Sequence, residues 1–315
     1  MMKGILIYYT MTGNTKQIAE AIHRGMTESG EQCDIIRLQE AYATDLSEYD
    51  LIGLGSPIIN QKELPNVTNF IEGMEGVDGK HAFAFNTHGA SPCRYLARVV
   101  PAMEQRGLTV IGWKDWFCSA YYPVIPKPYI TDGHPDETDI REAEEFGREM
   151  VVRNQRIYAG EIELIPEFPK GKEYDERYNP PELWPSRMPE IFAEYSKVMA
   201  EAEFKIDIEK CNYPKCTHCI DNCPVHNIGV SDSGPVFHKS CAMCFLCEQI
   251  CPSGAIEIDW DAYQQPHDKL VENWLSKIVD YLESKGYFRR LVQREEIGWD
   301  TPFWKTKKPP RFNIQ

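Results

Sequence analysis

Residues 4–15 read GILIYYTMTGNT, an apolar run followed by a small turn that is rich in hydroxyl groups. The run Ile5–Tyr9 predicts a strand that is covered on both faces. A helix is predicted from about Thr15, and the N–H groups and dipole at the start of a helix attract anions. The turn has neither the Gly-Lys-Ser/Thr of a triphosphate loop nor the three glycines of a dinucleotide loop. It therefore predicts a site for a single phosphate group, with an ordinary capped helix as the alternative.

The segments that follow alternate between strand-like and helix-like patterns as far as about residue 155. Further strands are predicted at 34–38, 51–55, 81–86 and 108–112, with helices between them and after the last one. Such alternation indicates a parallel sheet with helices on both faces. We therefore expect a doubly wound α/β domain. If its sheet has the order 2-1-3-4-5, the loops after strands one, three and four meet at the carboxyl edge of the sheet.

Those three loops carry the candidate cofactor-binding residues. The first loop is the hydroxyl-rich turn, the second follows the strand at 51–55, and the third follows the strand at 81–86. The candidates are Thr10, Met11, Thr12, Gly13, Asn14, Thr15, Ser56, Pro57, Ile58, Ile59, Asn60, Asn86, Thr87, His88, Gly89 and Ala90.

This pattern resembles the flavodoxin family over residues 1 to about 155. In that family the TxTGNT loop binds the phosphate of FMN, and the next two loops hold the isoalloxazine ring. The resemblance implies phosphate contacts from Thr10, Thr12, Gly13, Asn14 and Thr15, and ring contacts from Pro57, Ile58, Asn60, Thr87, His88 and Gly89. Isoleucines stand in the second loop, where flavodoxins usually have aromatic residues. One face of the ring is therefore expected to be open, or covered by Trp113–Tyr129 or by the cysteine-rich domain.

Two side chains near the third loop each have two interpretations. His88 is the candidate catalytic residue, as a donor of a proton or a hydrogen bond to reduced flavin, and the alternative is a loop histidine that faces solvent. Cys93 is predicted at the start of the next helix, where a thiol can have a lowered pKa. Its alternative is a buried structural cysteine.

Eight of the eleven cysteines lie between residues 211 and 251. The later run, which starts at Cys241, is C-x2-C-x2-C-x3-C-P, the pattern of bacterial ferredoxins, in which the fourth cysteine ligates the other cluster. The earlier run, C-x4-C-x2-C-x3-C-P from Cys211, has its last three cysteines repeated 28 residues later. We predict one [4Fe–4S] cluster on Cys211, Cys216, Cys219 and Cys251, and a second on Cys241, Cys244, Cys247 and Cys223. Two zinc sites are the alternative.

The chain is predicted to have four parts. Residues 1–158 form the flavodoxin-like domain, and 159–205 form a Pro-rich linker, expected to be extended, with a short helix from about Pro189 that includes Ala202. The two-cluster ferredoxin domain, a small α+β unit, covers 206–260. Residues 261–315 contain an amphipathic helix, bounded by Pro266 and Gly286, and a basic tail that is expected to be poorly ordered.

The charge balance narrows the range of partners. The chain has 34 Lys and Arg against 48 Asp and Glu, a formal net charge of −14. Nucleic-acid binders concentrate positive charge, so this balance argues against a nucleic-acid partner. No apolar stretch approaches the ~18 residues of a membrane span, and the first residues lack the features of a signal peptide. We expect a cytoplasmic protein with no membrane partner.

The whole chain resembles the flavodoxin–ferredoxin fusion proteins of anaerobic bacteria and archaea. The resemblance implies an oxidoreductase with FMN and two [4Fe–4S] clusters. Three hypotheses follow: a ferredoxin-linked flavoenzyme that reduces a small-molecule acceptor, a dedicated electron carrier to a larger redox complex, and a zinc-stabilised binding module. The expected partners are ferredoxin-like donors or acceptors. A homodimer is a further hypothesis, motivated by the uncovered face of the flavin.

Overall fold

The computed structural model describes residues 2–28, 30–178, 180, 183, 186, 188–201, 203–238 and 241–312. The chain divides into two compact units. Unit 1 comprises Met1–Ser119 and Gly133–Asn179, and unit 2 comprises Ala120–Asp132 and Pro180–Gln315. Within the described ranges, every helix is too short or too polar to cross a bilayer.

Unit 1 is built on a parallel sheet flanked by helices. Its strands are β1 (Lys3–Tyr8), β2 (Gln32–Arg37), β3 (Leu51–Pro57), β4 (His81–His88) and β5 (Thr109–Phe117). Its helices are α1 (Asn14–Thr27), α2 (Leu38–Ala41), α3 (Pro65–Glu72), α4 (Tyr95–Gln105), α5 (Glu137–Tyr158) and α6 (Lys172–Tyr178), with 3-10 turns at Leu46–Glu48 and Ile162–Leu164. The strand order is β2-β1-β3-β4-β5, which confirms the predicted flavodoxin-like topology.

Three strands extend further than the sequence predicts. β3 continues to Pro57, β4 to His88 and β5 to Phe117. β4 and β5 remain paired beyond a register shift at Ala82/Phe83, as far as His88 opposite Phe117. Consequently Ser56, Pro57, Asn86, Thr87 and His88, which were expected in loops, lie at the ends of strands, and residues 113–117 belong to β5. Backbone pairing with the neighbouring strand holds these residues in an extended conformation.

The helices α1 and α5 pack closely against each other on one face of the sheet. Their apolar residues, including Ile22 of α1 and Phe146 of α5, share a core with Phe83 and Phe85 of β4. Glycines allow this approach, since a Cβ atom at Gly25 would clash with the carbonyl oxygen of Glu144, and one at Gly147 with that of Ile22. Two backbones therefore meet directly at both positions.

We predict that Gly147→Ala lowers the free energy of unfolding by about 3 kcal/mol, because a backbone carbonyl cannot move aside as a flexible side chain can. Guanidinium denaturation, followed by the helical circular dichroism signal, measures the effect. Gly73→Ala at the end of α3 is the control, since its new Cβ would lie 3.3 Å from the nearest oxygen. The control is expected to stay within about 0.5 kcal/mol of the wild type. Equal stability of the two variants would contradict close packing of α1 on α5.

The segment after α5 differs from the extended linker that its prolines predict. Residues 172–178 form α6, and three aromatic side chains of this segment, Phe168, Tyr174 and Tyr178, are buried in unit 1. The ring of Phe168 lies 4.8 Å from that of Trp113, edge to face. Aromatic burial of this kind is a large apolar contribution, and it holds the segment on the domain.

Unit 2 contains two small antiparallel sheets and several helices. Its strands are β6 (Lys205–Ile206), β7 (Ile228–Ser231), β8 (Gly234–Phe237) and β9 (Ile256–Glu257), paired β6 with β9 and β7 with β8. Its helices are α7 (Met188–Glu201), α8 (His218–Asp221), α9 (Leu246–Ile250), α10 (Trp260–Leu270), α11 (Ser276–Ser284) and α12 (Phe303–Thr306), with a π-helical segment at Val271–Leu275 and a 3-10 turn at Arg294–Glu296. Ala202 of the predicted short helix lies outside the described residues.

The internal repeat of the sequence is also a repeat of structure. Helix α8 begins at His218 and α9 at Leu246, and strand β7 begins at Ile228 and β9 at Ile256. Each pair of starting positions is separated by the 28 residues that separate the cysteines. The arrangement fits the predicted small α+β ferredoxin domain.

Two expectations for residues 261–315 are wrong. Pro266 lies inside α10 instead of before the amphipathic helix, which therefore begins earlier, at Trp260. The basic tail, expected to be poorly ordered, contains α12 and the side chain of Arg311, which is 2% exposed. Arg311 is buried because it pairs with Glu248, an acidic residue far away in the sequence.

Candidate functional sites

The phosphate-binding loop lies between the end of β1 at Tyr8 and the start of α1 at Asn14. Gly13 has a φ of 95°, a left-handed conformation that glycine adopts without a steric penalty. The N–H of Gly13 donates to Oγ1 of Thr10 over 3.1 Å, which closes the loop. No side chain caps α1, and its first turn has no acidic residue. The uncapped N–H groups are therefore free of a competing side-chain acceptor and suit an anion.

Two side chains of the loop connect it to other parts of unit 1. The hydroxyl groups of Thr15 and Thr87 lie 2.8 Å apart and are buried. The side-chain amide of Asn14 donates to the carbonyl oxygen of Ser119 over 2.8 Å. Met11 and Thr12, which precede these two residues in the loop, are half-buried. The structure thus brings the first and third predicted loops together, as the strand order requires.

The second loop ends in a tight turn. The N–H of Ile58 donates to the carbonyl of Thr87 over 3.1 Å, so this loop also borders the end of β4. Ile59 and Lys62 pair with each other across Asn60 and Gln61, which have φ values of 50° and 69°. Positive φ at both central residues is the geometry of a type I′ turn. The Ser56 hydroxyl is directed away from this turn and donates to the hydroxyl of Tyr95 in α4 over 3.1 Å.

His88 is buried, 4% exposed, at the end of β4, so the alternative of a solvent-facing loop histidine is wrong. Its Nε2 lies 3.1 Å from a carboxylate oxygen of Asp115, and its ring meets that of Phe117 edge to face. Its Nδ1 has no partner among the described residues. Asp115 was not predicted as a site residue, because it lies beyond the predicted end of the fifth strand. The continuing pattern of Trp113, Trp116 and Phe117 is the signal that could have revealed the longer strand.

Asn86 is the neighbouring buried polar residue. Its side chain is fully buried, and within the part of the chain that the structure describes neither its amide nitrogen nor its amide oxygen has a hydrogen-bond partner. An unpartnered buried amide costs about 1–3 kcal/mol per group. The amide of Asn86 and the Nδ1 atom of His88 are therefore polar groups at the carboxyl edge of the sheet that a bound polar ligand would satisfy. Together with the uncapped start of α1, they fit a phosphorylated ligand with a polar heterocycle, such as FMN.

The third loop is held by the segment around α6. Oγ of Ser91 donates to the carbonyl of Tyr178 over 2.8 Å, and the hydroxyl of Tyr174 donates to the carbonyl of Cys93 over 2.5 Å. Helix α4 begins at Tyr95, so Cys93 lies before the helix, where it has a φ of 44°. Burial raises the pKa of the Cys93 thiol to about 12, which contradicts the activated-thiol alternative and leaves the structural one. Gly89 is half-buried and Ala90 is buried in this loop.

The eight clustered cysteines form two groups in unit 2, recognisable by their mutual electrostatic effects. Burial raises the pKa of the Cys219 thiol to about 11, and the rise is increased by the neighbouring thiols of Cys251, Cys211 and Cys216. Burial also raises the pKa of the Cys244 thiol to about 12, with further increases from Cys241 and Cys223. Since charges affect each other strongly only at short range, each group combines three cysteines of one run with the last cysteine of the other.

The thiol of Cys247 is affected electrostatically by cysteines of both groups. Burial raises the pKa of its thiol well above the usual range, and the thiols that add to the rise are Cys244, Cys241, Cys219 and Cys223. Three of these four belong to the second predicted ligand set, and Cys219 belongs to the first. Clusters ligated by the two sets would therefore be close neighbours within unit 2.

The last cysteine of each run has equivalent backbone surroundings. The N–H of Asn227 donates to Sγ of Cys223, and the N–H of Ala255 donates to Sγ of Cys251, each over 3.2 Å. In both copies the residue three positions after the cysteine, His226 or Gly254, has a positive φ that turns the chain back. Hydrogen bonds from backbone N–H groups to sulfur stabilise a thiolate, the form that binds iron. His218 and His226 are exposed.

Comparisons with known proteins agree with both halves of this description. Residues 5–91 match the family described as Flavodoxin domain. A flavodoxin of Clostridium beijerinckii is 24% identical over 148 residues, which cover 46% of this chain and 96% of that protein. A solved flavodoxin structure from the domain Archaea is 22% identical, covers 49% of this chain and 99% of that one, and has a TM-score of 0.40.

The chain covers little more than a third of one further relative and nearly all of another. An uncharacterized protein of Methanocaldococcus jannaschii is 25% identical over 158 residues, and the chain spans only 37% of that protein. A ferredoxin of Methanothermococcus thermolithotrophicus is 33% identical over 55 residues in the C-terminal region, which cover 17% of this chain and 92% of the ferredoxin. With a flavodoxin domain in its N-terminal half and this ferredoxin match in its C-terminal region, the chain belongs to the ferredoxin family as a flavodoxin–ferredoxin fusion.

Proposed function

We propose that this protein is an iron–sulfur flavoprotein that takes electrons from one-electron, ferredoxin-type carriers and delivers them to a small-molecule acceptor. The cysteines of unit 2 would hold two [4Fe–4S] clusters, which would supply one-electron chemistry, and the flavodoxin domain would hold FMN, which would supply one- or two-electron chemistry. Two carrier molecules are oxidised for each acceptor molecule that gains two electrons, and the accompanying protons come from water. The observation that carries the proposal is the pair of exchanged cysteine groups in the same chain as a flavodoxin domain.

The cluster assignment is supported by the groups that the structure brings together. Cys211, Cys216, Cys219 and Cys251 would hold the first cluster, and Cys241, Cys244, Cys247 and Cys223 the second. The role of these residues is to supply eight thiolates in two sets and to shield them partly from water. Burial disfavours charged thiolates, so the positive charge of iron would relieve that penalty.

The flavin assignment is supported by the uncapped loop at the start of α1. Gly13 would bring the N–H groups of Asn14 and the residues that follow it to the phosphate of FMN, with the hydroxyls of Thr10, Thr12 and Thr15 around it. Pro57, Ile58 and Asn60 of the second loop and Thr87, His88 and Gly89 of the third would flank the ring. The amide of Asn86 would satisfy its two unpartnered atoms on the polar edge of the ring.

His88 would present Nδ1 to the flavin, as an acceptor when the imidazole is neutral and as a donor when it is an imidazolium. The carboxylate of Asp115 lies 3.1 Å from Nε2 and orients the imidazole, so Nδ1 is the atom that is left for the ligand. Because the residue is buried, water would not compete for that atom. In this arrangement Asp115 positions His88, and His88 acts on the ligand as donor or acceptor.

We also propose that the protein is cytoplasmic and that its redox partners carry a basic docking surface. All eleven cysteines are unpaired in the structure, which suits the reducing cytoplasm. The net charge of −14 favours redox partners with a basic docking surface.

Turnover measurements test the proposal. Protein loaded with FMN and clusters is mixed with reduced ferredoxin and with panels of quinones and nitro compounds under anaerobic conditions. Catalytic oxidation of ferredoxin that depends on one of these small acceptors is the expected result. Oxidation that requires a protein acceptor and is insensitive to every small acceptor would favour a dedicated electron carrier instead.

The metal content gives a direct prediction. Protein purified without oxygen is expected to contain about eight iron and eight acid-labile sulfide per chain, four of each for every cubane. Metal and sulfide analysis, together with the visible absorption of the clusters, measures this content. Two tightly bound zinc ions in a colourless C-terminal region would contradict the cluster assignment.

A further inference from the structure

The C-terminal arm, defined here as residues 302–312, ends in a buried ion pair within unit 2. The side chain of Arg311 is 2% exposed and that of Glu248 is 3% exposed. Nη2 of Arg311 donates to Oε1 of Glu248 over 2.7 Å, and its Nε donates to Oε2 over 3.3 Å. The pairing uses two nitrogens and two oxygens, the geometry in which arginine binds a carboxylate most specifically.

The partner of Arg311 lies on the helix between two cluster ligands. Helix α9 contains Cys247 and Glu248, and Cys251 follows directly after its last residue. The backbone N–H of Arg311 also donates to the carbonyl of Gln249 over 2.6 Å. Arg311 therefore contacts α9 both through its side chain and through its backbone. Cys247, within this short helix, and Cys251, directly after it, belong to different predicted clusters.

The arm itself is fastened at several further points in unit 2. The N–H of Phe303 donates to the carbonyl of Ile125, and that of Trp304 to the carbonyl of Pro123, each over 2.8 Å. Arg311 also lies over the ring of Phe303, 5.5 Å from its centroid, and Nη1 reaches the carbonyl of Trp304 at 3.5 Å. The guanidinium is thus presented to α9 by a structured segment.

We propose that Arg311 is a positioning residue for both iron–sulfur clusters, holding α9 in place so that Cys247 and Cys251 each stay directed at their own cluster. The inference rests on the proposed function, since it concerns the clusters assigned there. Breaking a buried ion pair from one side leaves an uncompensated charge, whereas replacing both partners by apolar residues of similar size is far less disruptive. A comparison of Arg311→Met with the double variant Glu248→Met/Arg311→Met uses this difference.

The experiment compares the release of iron from anaerobically loaded full-length protein to a chelator of ferrous iron, followed by the visible absorption of the clusters. Arg311→Met is expected to lose its clusters roughly tenfold faster than the wild type, because the buried carboxylate of Glu248 then draws water to α9. The double variant Glu248→Met/Arg311→Met is expected to return to within roughly threefold of the wild-type rate.

Arg290→Met is the matched control. Arg290 is also nearly buried, with 8% of its side chain exposed, and pairs with Asp280 and Glu283 of α11, a helix without cysteines. We expect it to lower the melting temperature and leave the rate of cluster loss unchanged. The midpoint potentials of the clusters, measured by EPR titration, are expected to change in Arg311→Met and not in Arg290→Met.

The outcomes separate the inference from the proposed function. A wild-type protein that binds no iron–sulfur cluster overturns the proposed function. A wild type that binds both clusters, with equal rates and potentials in Arg311→Met and Arg290→Met, overturns the inference alone. If Arg311→Met takes up no cluster, the double variant decides: recovery of slow cluster loss supports the role of Arg311 through Glu248, and continued failure contradicts it.

Discussion

Replacing Cys223 with alanine is expected to remove or convert the cluster that the other three ligands, Cys241, Cys244 and Cys247, hold. Cys223 lies in the other sequence run, so the local reading of the sequence would predict damage to the cluster on Cys211, Cys216 and Cys219. The pKa of the Cys244 thiol is raised first by burial and then by the charges of Cys241 and Cys223, so Cys223 lies within electrostatic range of the distant run. The swapped arrangement would follow from the short helix that contains the third cysteine of each run and ends before the fourth, so that the fourth thiolate is directed away from its own loop.

EPR and Mössbauer spectra of the reduced variant, with iron analysis, measure the result. About half of the iron is expected to be lost, or the affected cluster to be converted to a three-iron form, with the remaining cluster unaltered in its signal. Cys33→Ala serves as the control, since burial raises the pKa of that thiol to about 12 and it lies in unit 1. Loss of the cluster on Cys211, Cys216 and Cys219 with retention of the other would show that the ligand assignment is wrong.

Replacing Thr12 and Thr15 together with valine is expected to weaken FMN binding by roughly two to four orders of magnitude. Residues 10–15 contain no lysine or arginine, so the phosphate depends on N–H groups and hydroxyls. A hydrogen bond to a charged group contributes about 1.5–3 kcal/mol, and the variant removes two of them. When the hydroxyl of Thr15 accepts the hydrogen bond from Thr87, its own hydrogen stays available to donate to the phosphate.

Titration of flavin-free protein with FMN and with riboflavin measures the effect. Wild type is expected to bind riboflavin far more weakly than FMN, and the double variant to narrow that difference, because both changes remove hydroxyl groups that would donate to the phosphate. Thr27→Val, at the opposite end of α1, is the control: the Thr27 hydroxyl donates to the carbonyl of His23, and FMN affinity should be unchanged. Equal affinity of wild type for the two flavins would mean that the loop is an ordinary helix start. The iron–sulfur spectrum should be the same in all these variants.

The chemistry-bearing positions were predictable because each depends on local spacing. The hydroxyl-rich turn lies between a buried strand and a helix, so Gly13 and Thr15 could be placed at the start of α1 without knowing any distant contact. The cysteine runs are still more local, and their offset of 28 residues predicted the equivalence of α8 with α9. The period of the apolar residues, the spacing of the cysteines and the residue types can all be seen in the sequence.

The ends of strands were predicted less well. The fifth strand was expected to end near Gly112, yet β5 continues to Phe117 because β4 pairs with it as far as His88. The partner strand supplies the hydrogen bonds that keep Lys114 and Asp115 extended, although both are residues that strands usually avoid. Asp115 was consequently missed as the carboxylate that orients His88.

The sequence by itself predicted the two kinds of site and the alternation of strands and helices that builds the parallel sheet. Tertiary structure alone decided that Asp115 orients His88, that Tyr174 holds the loop at Cys93, and that Arg311 lies buried on Glu248. The physical reason is the range of the interactions. Anion-binding turns and cysteine spacings depend on neighbours within a few residues, whereas a buried carboxylate, hydroxyl or guanidinium is stable only where the folded chain supplies a partner from far along the sequence.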